Sequence, residues 1–201
     1  MTAATARPPG RPRQAGIDAR ITEATIALLG EVGYQALSLA TVAARAQVGR
    51  PALYRRYGSK PELVVAAIAA LSAAPETAPE APLPAAPRDA LEQMLRTTAA
   101  SLARPGAATI LGSLLAQERR DPALVAAFRE RVFEPRRSTV RKILRRGVES
   151  GALREDLDLD VADAALFGAL LAPMVLGEPL DDAWAARVLE GLWPTLRAEP
   201  A

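Results

Sequence analysis

Alanine occupies 44 of the 201 positions in this chain, and this excess restricts the fold more than any other feature of the sequence. Alanine is the strongest helix former and a weak strand former, because its methyl group loses no rotamer freedom in a helix. Only eight residues are aromatic. We therefore predict an all-α globular protein, and a β-sandwich or barrel is close to excluded.

The sequence contains neither cysteine nor histidine. It therefore offers no disulfide framework, no zinc–thiolate site, no imidazole metal site and no Ser-His-Asp triad. No catalytic constellation can be named from the remaining residue types. We predict a protein that is not an enzyme and that uses no cofactor or metal.

The first sixteen residues are polar, proline-rich and basic, and they contain no apolar segment typical of a signal peptide. The longest uncharged run, Ala164–Gly177, is shorter than the roughly 20 apolar residues that a membrane span needs. We expect a soluble cytoplasmic protein with no membrane partner.

The net charge of +2 hides an asymmetry along the chain. Residues 1–60 hold nine basic and three acidic side chains, or +6, and the remaining residues hold 16 basic and 20 acidic ones, or −4. This distribution is typical of a polyanion-binding module on a non-binding body. A solvated basic tail would give the same numbers.

Prolines and glycines divide the chain into four predicted parts. Residues 1–14 form a flexible basic arm, and residues 15–73 form an N-terminal domain. Residues 74–87, with five prolines, read as a linker that cannot sustain a helix. Residues 88–201 form a C-terminal domain.

Four helices are predicted in the N-terminal domain. The first spans 17–32 on the apolar spacing of Ile17, Ile21, Ala24, Leu28 and Val32, and Gly33 follows as a left-handed C-cap. Helices over 39–46 and 50–57 come next, and a capping box of Ser59 and Glu62 opens a fourth helix.

The short connection between the second and third of these helices is typical of a helix-turn-helix. Such a unit lays its second helix in the major groove of DNA, where arginine can contact guanine or phosphate. Leu53 is predicted to point into the core of this unit, and the basic residues predicted to face outward are Arg50, Arg55, Arg56 and Lys60. A small three-helix domain without a DNA role remains the alternative.

Residues 10–68 resemble the N-terminal domain of the TetR family of transcriptional regulators. The matching motifs occur in register: Glu-x-Gly-Tyr at 31–34, Ser-Leu-x-x-Val-Ala at 38–43, Val-x-x-x-x-Leu-Tyr-Arg-x-Tyr at 48–57 and Ser-Lys-x-Glu-Leu at 59–63. The resemblance implies an N-terminal helix-turn-helix domain on a C-terminal helical bundle, about nine helices in all. It also implies a homodimer on a roughly palindromic double-stranded DNA operator, usually a repressor released by a small-molecule effector.

The resemblance also assigns roles to individual residues by motif position. It places Arg50, Pro51 and Ala52 at bases, and it places Tyr54, Arg55 and Lys60 at the DNA backbone. Further expected contacts to phosphates come from the start of the second helix and from the arm, through Ser38, Thr41, Arg11 and Arg13.

Two positions depart from the family pattern. Gln47 stands where the family usually has glycine, and a non-glycine residue at positive φ costs about 1–2 kcal/mol. Gly49-Arg50-Pro51-Ala52 replaces the commoner Ser-Lys-Gly-Thr, so the operator sequence cannot be copied from relatives.

The C-terminal domain is predicted to contain helices over 88–103, 105–118, 122–149, 160–177 and 181–193, with a kink or break at Pro135. In the family the analogous helices enclose an effector pocket. Candidate lining residues are large and apolar: Leu91, Met94, Leu95, Leu111, Leu115, Phe128, Phe133, Phe167 and Met174. For each residue taken singly, a place in an ordinary core is the favoured interpretation.

The last two helices form the dimer bundle in the family. Small or apolar residues suited to a close contact are Ala165, Gly168, Ala169, Ala172, Trp184, Val188 and Leu192. The nearly all-apolar run 164–175 is expected to be buried on more than one side.

Two charged stretches have alternative interpretations. Arg137, Arg141 and Arg145 form a helical stripe that could be a second nucleic-acid surface, although a solvated helix face is favoured. The acidic residues 155–160 are interpreted as a loop that caps the next helix rather than as a metal site.

An adaptor that has kept the fold and lost operator recognition is the alternative to a DNA-binding regulator.

Overall fold

The computed structural model describes residues 12–72, 86–181 and 183–198, and it confirms an all-α fold. Within these residues the extended structure is limited to one isolated bridge between Leu153 and Arg197. Nine helices are present if the unbroken helical run 122–149 is counted once. Their bounds are α1 Pro12–Ala36, α2 Leu39–Arg45, α3 Arg50–Tyr54, α4 Lys60–Ser72, α5 Pro87–Leu102, α6 Ala107–Leu115, α7 Pro122–Phe128, a π-helical segment Arg129–Phe133, α8 Glu134–Glu149, α9 Leu159–Leu176 and α10 Trp184–Leu196.

Helix α1 is longer at both ends than its apolar spacing predicts. Gly33 has the expected positive φ of 72°, but its ψ of 175° lies outside the left-handed helical region. The chain therefore bends at Gly33 and forms one more helical turn before α2, which is a correction to the expected C-cap. Val32 was expected on the buried stripe but is 49% exposed, because it lies beside this bend.

The N-terminal core does not stop at the predicted domain boundary. It is the buried cluster around Ile21, Leu29, Leu53 and Leu63, and it also includes residues of α6, α7 and the π segment: Ile110, Leu114, Leu124, Phe128 and Val132. The predicted linker 74–87 falls almost entirely outside the described residues, so the four-part division stays a prediction. The packing shows that three later helical segments share the core of the first domain.

Helices α1 and α6 approach each other at the level of their backbones. A Cβ atom built on Gly106 would lie 3.0 Å from the Cα of Gly30, which is tighter than most real Cβ contacts. Gly106 also has a φ of 80°, a conformation that favours glycine. Both features favour glycine at position 106.

The C-terminal core is a second buried cluster, formed by α5, α8, α9 and α10. Its most buried members include Leu91, Leu144, Leu153, Leu166, Leu170 and Leu189. The acidic stretch before α9 has the predicted capping role, since the Asp158 carboxylate accepts hydrogen bonds from the backbone N–H groups of Asp160 at 3.0 Å and Val161 at 3.1 Å.

Pro135 does not break the helical run 122–149, so the break offered as one of the two expected outcomes is wrong. Proline cannot donate a helical hydrogen bond, and its ring crowds the carbonyl four residues earlier. The chain widens just before it into the π segment, where the Glu134 N–H bonds to the Arg129 carbonyl. The wider turn is a known way to relieve such a conflict within a continuous helix.

Candidate nucleic-acid interface

The start of α2 is fixed by Ser38 and Thr41. The Ser38 hydroxyl accepts a hydrogen bond from the Thr41 N–H, and the Thr41 hydroxyl oxygen accepts one from the Ser38 N–H, both at 3.1 Å. These bonds satisfy backbone donors that the first turn of a helix leaves unpaired. Both side chains therefore lie where the resemblance places phosphate contacts, and each also has a structural role.

The turn between α2 and α3 is a Schellman motif. The Val48 N–H bonds to the Ala43 carbonyl at 3.0 Å and the Gln47 N–H bonds to the Ala44 carbonyl at 3.2 Å. Gln47 has a φ of 54°. It is the only non-glycine residue with a positive φ in the described part of the chain. The turn keeps the geometry that the family obtains with glycine, at the energetic cost expected for glutamine.

Helix α3 is held to the N-terminal core by one residue. Leu53 is fully buried, and the first turn of the helix is formed by Pro51, which needs no N–H partner there. The helix ends at Tyr54 rather than at the predicted residue 57, and residues 55 and 56 form a turn. With Leu53 pointing inward, the side chains of Arg50, Pro51, Tyr54 and Arg55 are exposed and Ala52 is half-buried.

Arg50 and Arg55 are the unpaired cations of this surface. Among the described residues no carboxylate lies within ion-pair distance of either guanidinium, and Tyr54 between them is 55% exposed. Two nearby arginines, in contrast, have carboxylate partners. Arg45 forms a two-pronged pair with Glu31 at 2.7 and 3.0 Å, and Arg56 bonds to Asp18 at 2.8 Å.

Arg56 was expected to face outward, and its pairing with Asp18 is a correction. Its Nη1 also donates to the Ala52 carbonyl at 3.2 Å, so the side chain ties the end of α3 to α1. Sequence reasoning missed this partner because the two residues are 38 positions apart. Arg56 therefore fixes the end of α3 through internal bonds and is not one of the free cations beside it.

Lys60 is only partly available to DNA. Its ammonium donates to the Gln35 carbonyl at 3.1 Å and lies 4.3 Å from the centre of the Tyr34 ring. Partial burial lowers the pKa of Lys60. Tyr34 is itself buried, and burial with the nearby charge of Asp121 raises the pKa of its hydroxyl to about 12.

The predicted capping box at α4 is confirmed in one half. The Glu62 N–H donates to the Ser59 hydroxyl at 3.2 Å, as expected. The Glu62 carboxylate accepts from the Gly58 N–H at 3.0 Å rather than from that of Ser59.

Of the expected arm contacts, Arg11 lies outside the described residues, and Arg13 lies in α1 with a side chain that the structure does not describe.

The candidate effector residues do not form one pocket. Leu91, Met94, Leu95 and Phe167 line a cavity of only about 30 Å³ inside the C-terminal core. Leu111 packs against the N-terminal core and Phe128 lies within it, while Leu115 is 41% exposed. Phe133 lies at an open groove beside the cavity, and Met174 does not line the cavity.

Within the single chain, helix α9 is buried along one side, so burial of the run 164–175 on more than one side stays a prediction. Ala162, Asp163, Leu166, Leu170 and Pro173 face the core. The other side leaves three apolar residues strongly exposed, Val161, Val175 and Leu176, together with the expected dimer residues Ala165, Gly168 and Ala172. Ala169 is half-buried, as are Trp184, Val188 and Leu192, which pack on the C-terminal core.

By length and composition, α9 is the one helix of the described residues that could cross a membrane. Its mean hydropathy is 1.8 over 18 residues. It also carries Asp163, which is buried and paired with Arg137 at 2.7 Å. A core helix of a soluble domain has the same length and composition, so this observation is weak evidence for a membrane span.

The arginine stripe of α8 is largely paired within the chain. Arg137 bonds to Asp163, and Arg141 pairs with Asp160 at 2.9 Å and with Glu134 at 3.5 Å. These ion pairs favour neither predicted interpretation of the stripe, because two of its three members are bound to acidic groups of α8 and α9. Arg145 is exposed.

A two-helix unit with a tight turn, a buried anchor in its second helix and exposed basic residues beside that anchor defines a helix-turn-helix protein. Residues 21–67 match the profile described as bacterial regulatory proteins of the tetR family. Residues 84–192 match the profile of the tetracycline repressor-like C-terminal domain. The chain belongs to the TetR family of transcriptional regulators.

Similar proteins agree with this assignment over nearly the whole chain. The uncharacterised HTH-type transcriptional regulator YdeS of Bacillus subtilis is 25% identical over 193 residues, covering 96% of both chains. The DNA-binding transcriptional repressor TetR of Mycobacteroides abscessus is 29% identical, covering 79% of this chain and 82% of its own. The structure of the transcriptional regulator FadR of Bacillus subtilis, solved in complex with stearoyl-CoA, superposes with a TM-score of 0.70 at 20% identity. The match covers 87% of this chain and 96% of the FadR chain, and it shows the shared fold.

Proposed function

We propose that this protein is a ligand-responsive transcriptional repressor that binds a roughly palindromic operator as a homodimer in the cytoplasm. The observation that carries the proposal is the outer face of α3. There, two arginines without a carboxylate partner among the described residues flank an exposed tyrosine on a helix fixed by Leu53. Elsewhere in the described chain, many exposed or half-exposed arginines have an acidic partner.

The residues of α3 have separate roles in the proposal. Arg50, Pro51 and Ala52 contact base edges in the major groove, and Tyr54 and Arg55 contact the phosphate backbone. Lys60 adds a backbone contact through the ammonium donors that Gln35 does not use. Ser38 and Thr41 approach a phosphate at the start of α2.

The exposed side of α9 supports the homodimer. Val175 is 84% exposed, and Ala165, Gly168 and Ala172 on the same helix are small enough to allow a close helix contact. A two-fold contact of α9 and α10 would pair each face with its own copy. Such a dimer presents two α3 helices to half-sites about 34–36 Å apart.

The direct test is binding to duplex DNA from the region upstream of the protein's own gene, measured by fluorescence anisotropy against a shuffled duplex. We expect a clear preference for the native sequence, and we expect Arg50→Ala and Tyr54→Phe to weaken it. Arg145→Ala is the matched control because Arg145 is exposed on α8, away from α3. Equal binding to both duplexes, with no effect of the α3 variants, would contradict the proposal.

The salt dependence of binding separates this function from an adaptor that does not bind operator DNA. Phosphate contacts release counterions, so the logarithm of the binding constant falls steeply with the logarithm of salt concentration. A slope near zero would favour the adaptor.

The dimer has its own test. Gly168→Glu and Ala172→Glu place charges on the exposed side of α9, and both residues are exposed in the single chain. We expect these variants to sediment as monomers and to bind the operator weakly, while their circular dichroism stays that of the wild type. A monomeric wild-type protein would contradict the proposed dimer.

A further inference from the structure

The small cavity of the C-terminal core combines an apolar wall with buried charge. Leucines, Met94 and Phe167 line most of it, and Arg136, Arg137 and Asp163 line the remainder. A volume of about 30 Å³ corresponds to one water molecule, so the cavity is closed to larger molecules as it stands. Charged groups are rarely placed at an apolar cavity without a reason, because their desolvation is costly.

Asp163 is the centre of the buried charge. Its carboxylate is 1% exposed, and its Oδ2 lies 2.7 Å from Nε of Arg137 and 3.6 Å from Nε of Arg141. Arg141 also reaches two exposed carboxylates, those of Asp160 and Glu134. Asp163 would therefore keep one cationic neighbour if Arg137 turned to another anion.

Arg136 brings a second guanidinium to the cavity. It donates from Nη2 to the Ser101 hydroxyl at 3.3 Å, and burial lowers its pKa. The cavity wall thus holds two cations and one carboxylate. An arginine fork binds a carboxylate through two parallel hydrogen bonds, which makes an acid the best-matched additional anion.

Two cavity residues also border solvent. Arg137 and Phe167 line both the cavity and an open groove that runs between the π segment and α9, with Phe133, Ala164 and Gly168 on its other walls. The groove and the cavity therefore meet at these two residues. This meeting point lies at the edge of the α9 surface that we assign to the dimer contact.

We infer that the C-terminal core binds an apolar monocarboxylate, whose carboxylate replaces Asp163 on Arg137 and whose hydrocarbon body enters through Phe167. The inference rests on the proposed ligand response and names the chemical class of the ligand. Leu91, Met94 and Leu95 would contact the hydrocarbon body.

The aromatic residues connect this site to the N-terminal core. The Phe167 ring contacts Phe133 edge to face at a centroid distance of 5.3 Å, and Phe133 contacts Phe128 in the same way at 4.9 Å. Phe128 is buried in the core that also holds Leu53 of α3. Displacement of Phe167 by a ligand would therefore repack residues that support the recognition helix.

The test compares decanoate with decanamide, which has the same hydrocarbon chain and no charge. Binding to the full-length protein is measured by isothermal titration calorimetry, and operator binding is measured on the same samples. We expect decanoate to bind at least tenfold more tightly than decanamide and to weaken operator binding. Arg137→Met should remove the preference, and Arg145→Met on the same helix should retain it.

Asp163→Asn gives the sharpest result, because it removes the internal anion that competes with the ligand and preserves the shape of the side chain. We expect decanoate affinity to rise severalfold while decanamide affinity is unchanged. Arg137→Lys keeps the charge and the fold but loses the fork, so it should reduce the preference only in part. Circular dichroism of each variant shows that the helices are intact.

Equal binding of decanamide and decanoate, no binding of decanoate at its solubility limit, or no gain from Asp163→Asn would each overturn the inference. If wild-type protein binds its operator and decanoate has no effect, the ligand class is wrong and DNA binding stands. If the protein binds no operator at all, the proposed function fails whatever the outcome with decanoate.

Discussion

Two pairs of arginines in this protein, Arg50 and Arg55 at α3 and Arg137 and Arg141 on α8, use the same side chain in opposite ways. Arg50 in α3 and Arg55 in the turn after it are exposed, and the described residues place no carboxylate beside them. On α8, Arg137 and Arg141 are held by carboxylates of α8 and α9. The comparison teaches that a count of basic residues does not separate free cations from cations already held in internal ion pairs, whereas the positions of their acidic partners do.

The largest expected effect is on the free energy of unfolding, which should fall when an arginine of α8 is replaced. Arg137→Met leaves the buried carboxylate of Asp163 with only the more distant Arg141, and removal of one partner of a buried pair costs about 3 kcal/mol or more. We expect a fall of about that size in the free energy of unfolding, measured by urea denaturation. A change below about 0.5 kcal/mol, typical of a surface site, would remove the distinction.

The same substitution on α3 should have the reverse consequence. Arg50→Met removes a proposed base contact worth about 1–3 kcal/mol, so operator affinity should fall roughly tenfold to a hundredfold. Its free energy of unfolding should stay within about 0.5 kcal/mol of the wild type, because Arg50 is exposed. Anisotropy titrations and urea denaturation on the same preparation give both numbers, and a destabilised protein with normal operator affinity would contradict the comparison.

A third change tests the turn that presents α3. Gln47 has a φ of 54°, so Gln47→Gly should raise the free energy of unfolding by about 1 kcal/mol through relief of backbone strain. Gly33→Ala is a reciprocal control, because it places a side chain at a φ of 72° and should destabilise the protein. Thermal denaturation of the pair measures both effects, and a lower melting temperature for Gln47→Gly would show that the turn carries no strain.

The smallest expected effect concerns Arg55. If Arg55 contacts one phosphate, Arg55→Met should reduce the salt slope of operator binding by about 1 and weaken binding to all duplexes alike. Arg141→Met should leave that slope unchanged, since Arg141 is paired with Asp160 and Glu134. Equal slopes for the wild type and Arg55→Met would exclude the contact.

Much of the N-terminal domain could be predicted because its signals are local. Leu53 follows from the spacing of apolar residues and Ser59 from a capping pattern, and a similar pattern predicts the cap that Asp158 provides in the C-terminal domain. Each of these depends on neighbours within a few positions, which the sequence displays directly.

The remainder depends on partners that are distant in the chain. Asp18 meets Arg56, Gln35 meets Lys60, and Arg137 meets Asp163 only after helices pack. The same limit affects apolar residues. Leu111 and Leu91 have similar spacing patterns, yet one packs on the N-terminal core and the other lies in the C-terminal core. A stripe of apolar residues shows that one face of a helix is buried, but it does not show which part of the protein packs against that face.

The contact between Gly30 and Gly106 has a mechanical consequence. Side chains between two helices can change rotamer and so absorb part of a relative displacement, but at this crossing the backbones of α1 and α6 meet with no side chain between them. The junction between the DNA-binding helices and the later helices therefore has little compliance. A shift of α6 towards α1 would meet backbone rather than a side chain that can turn aside, so part of the shift would pass to α1.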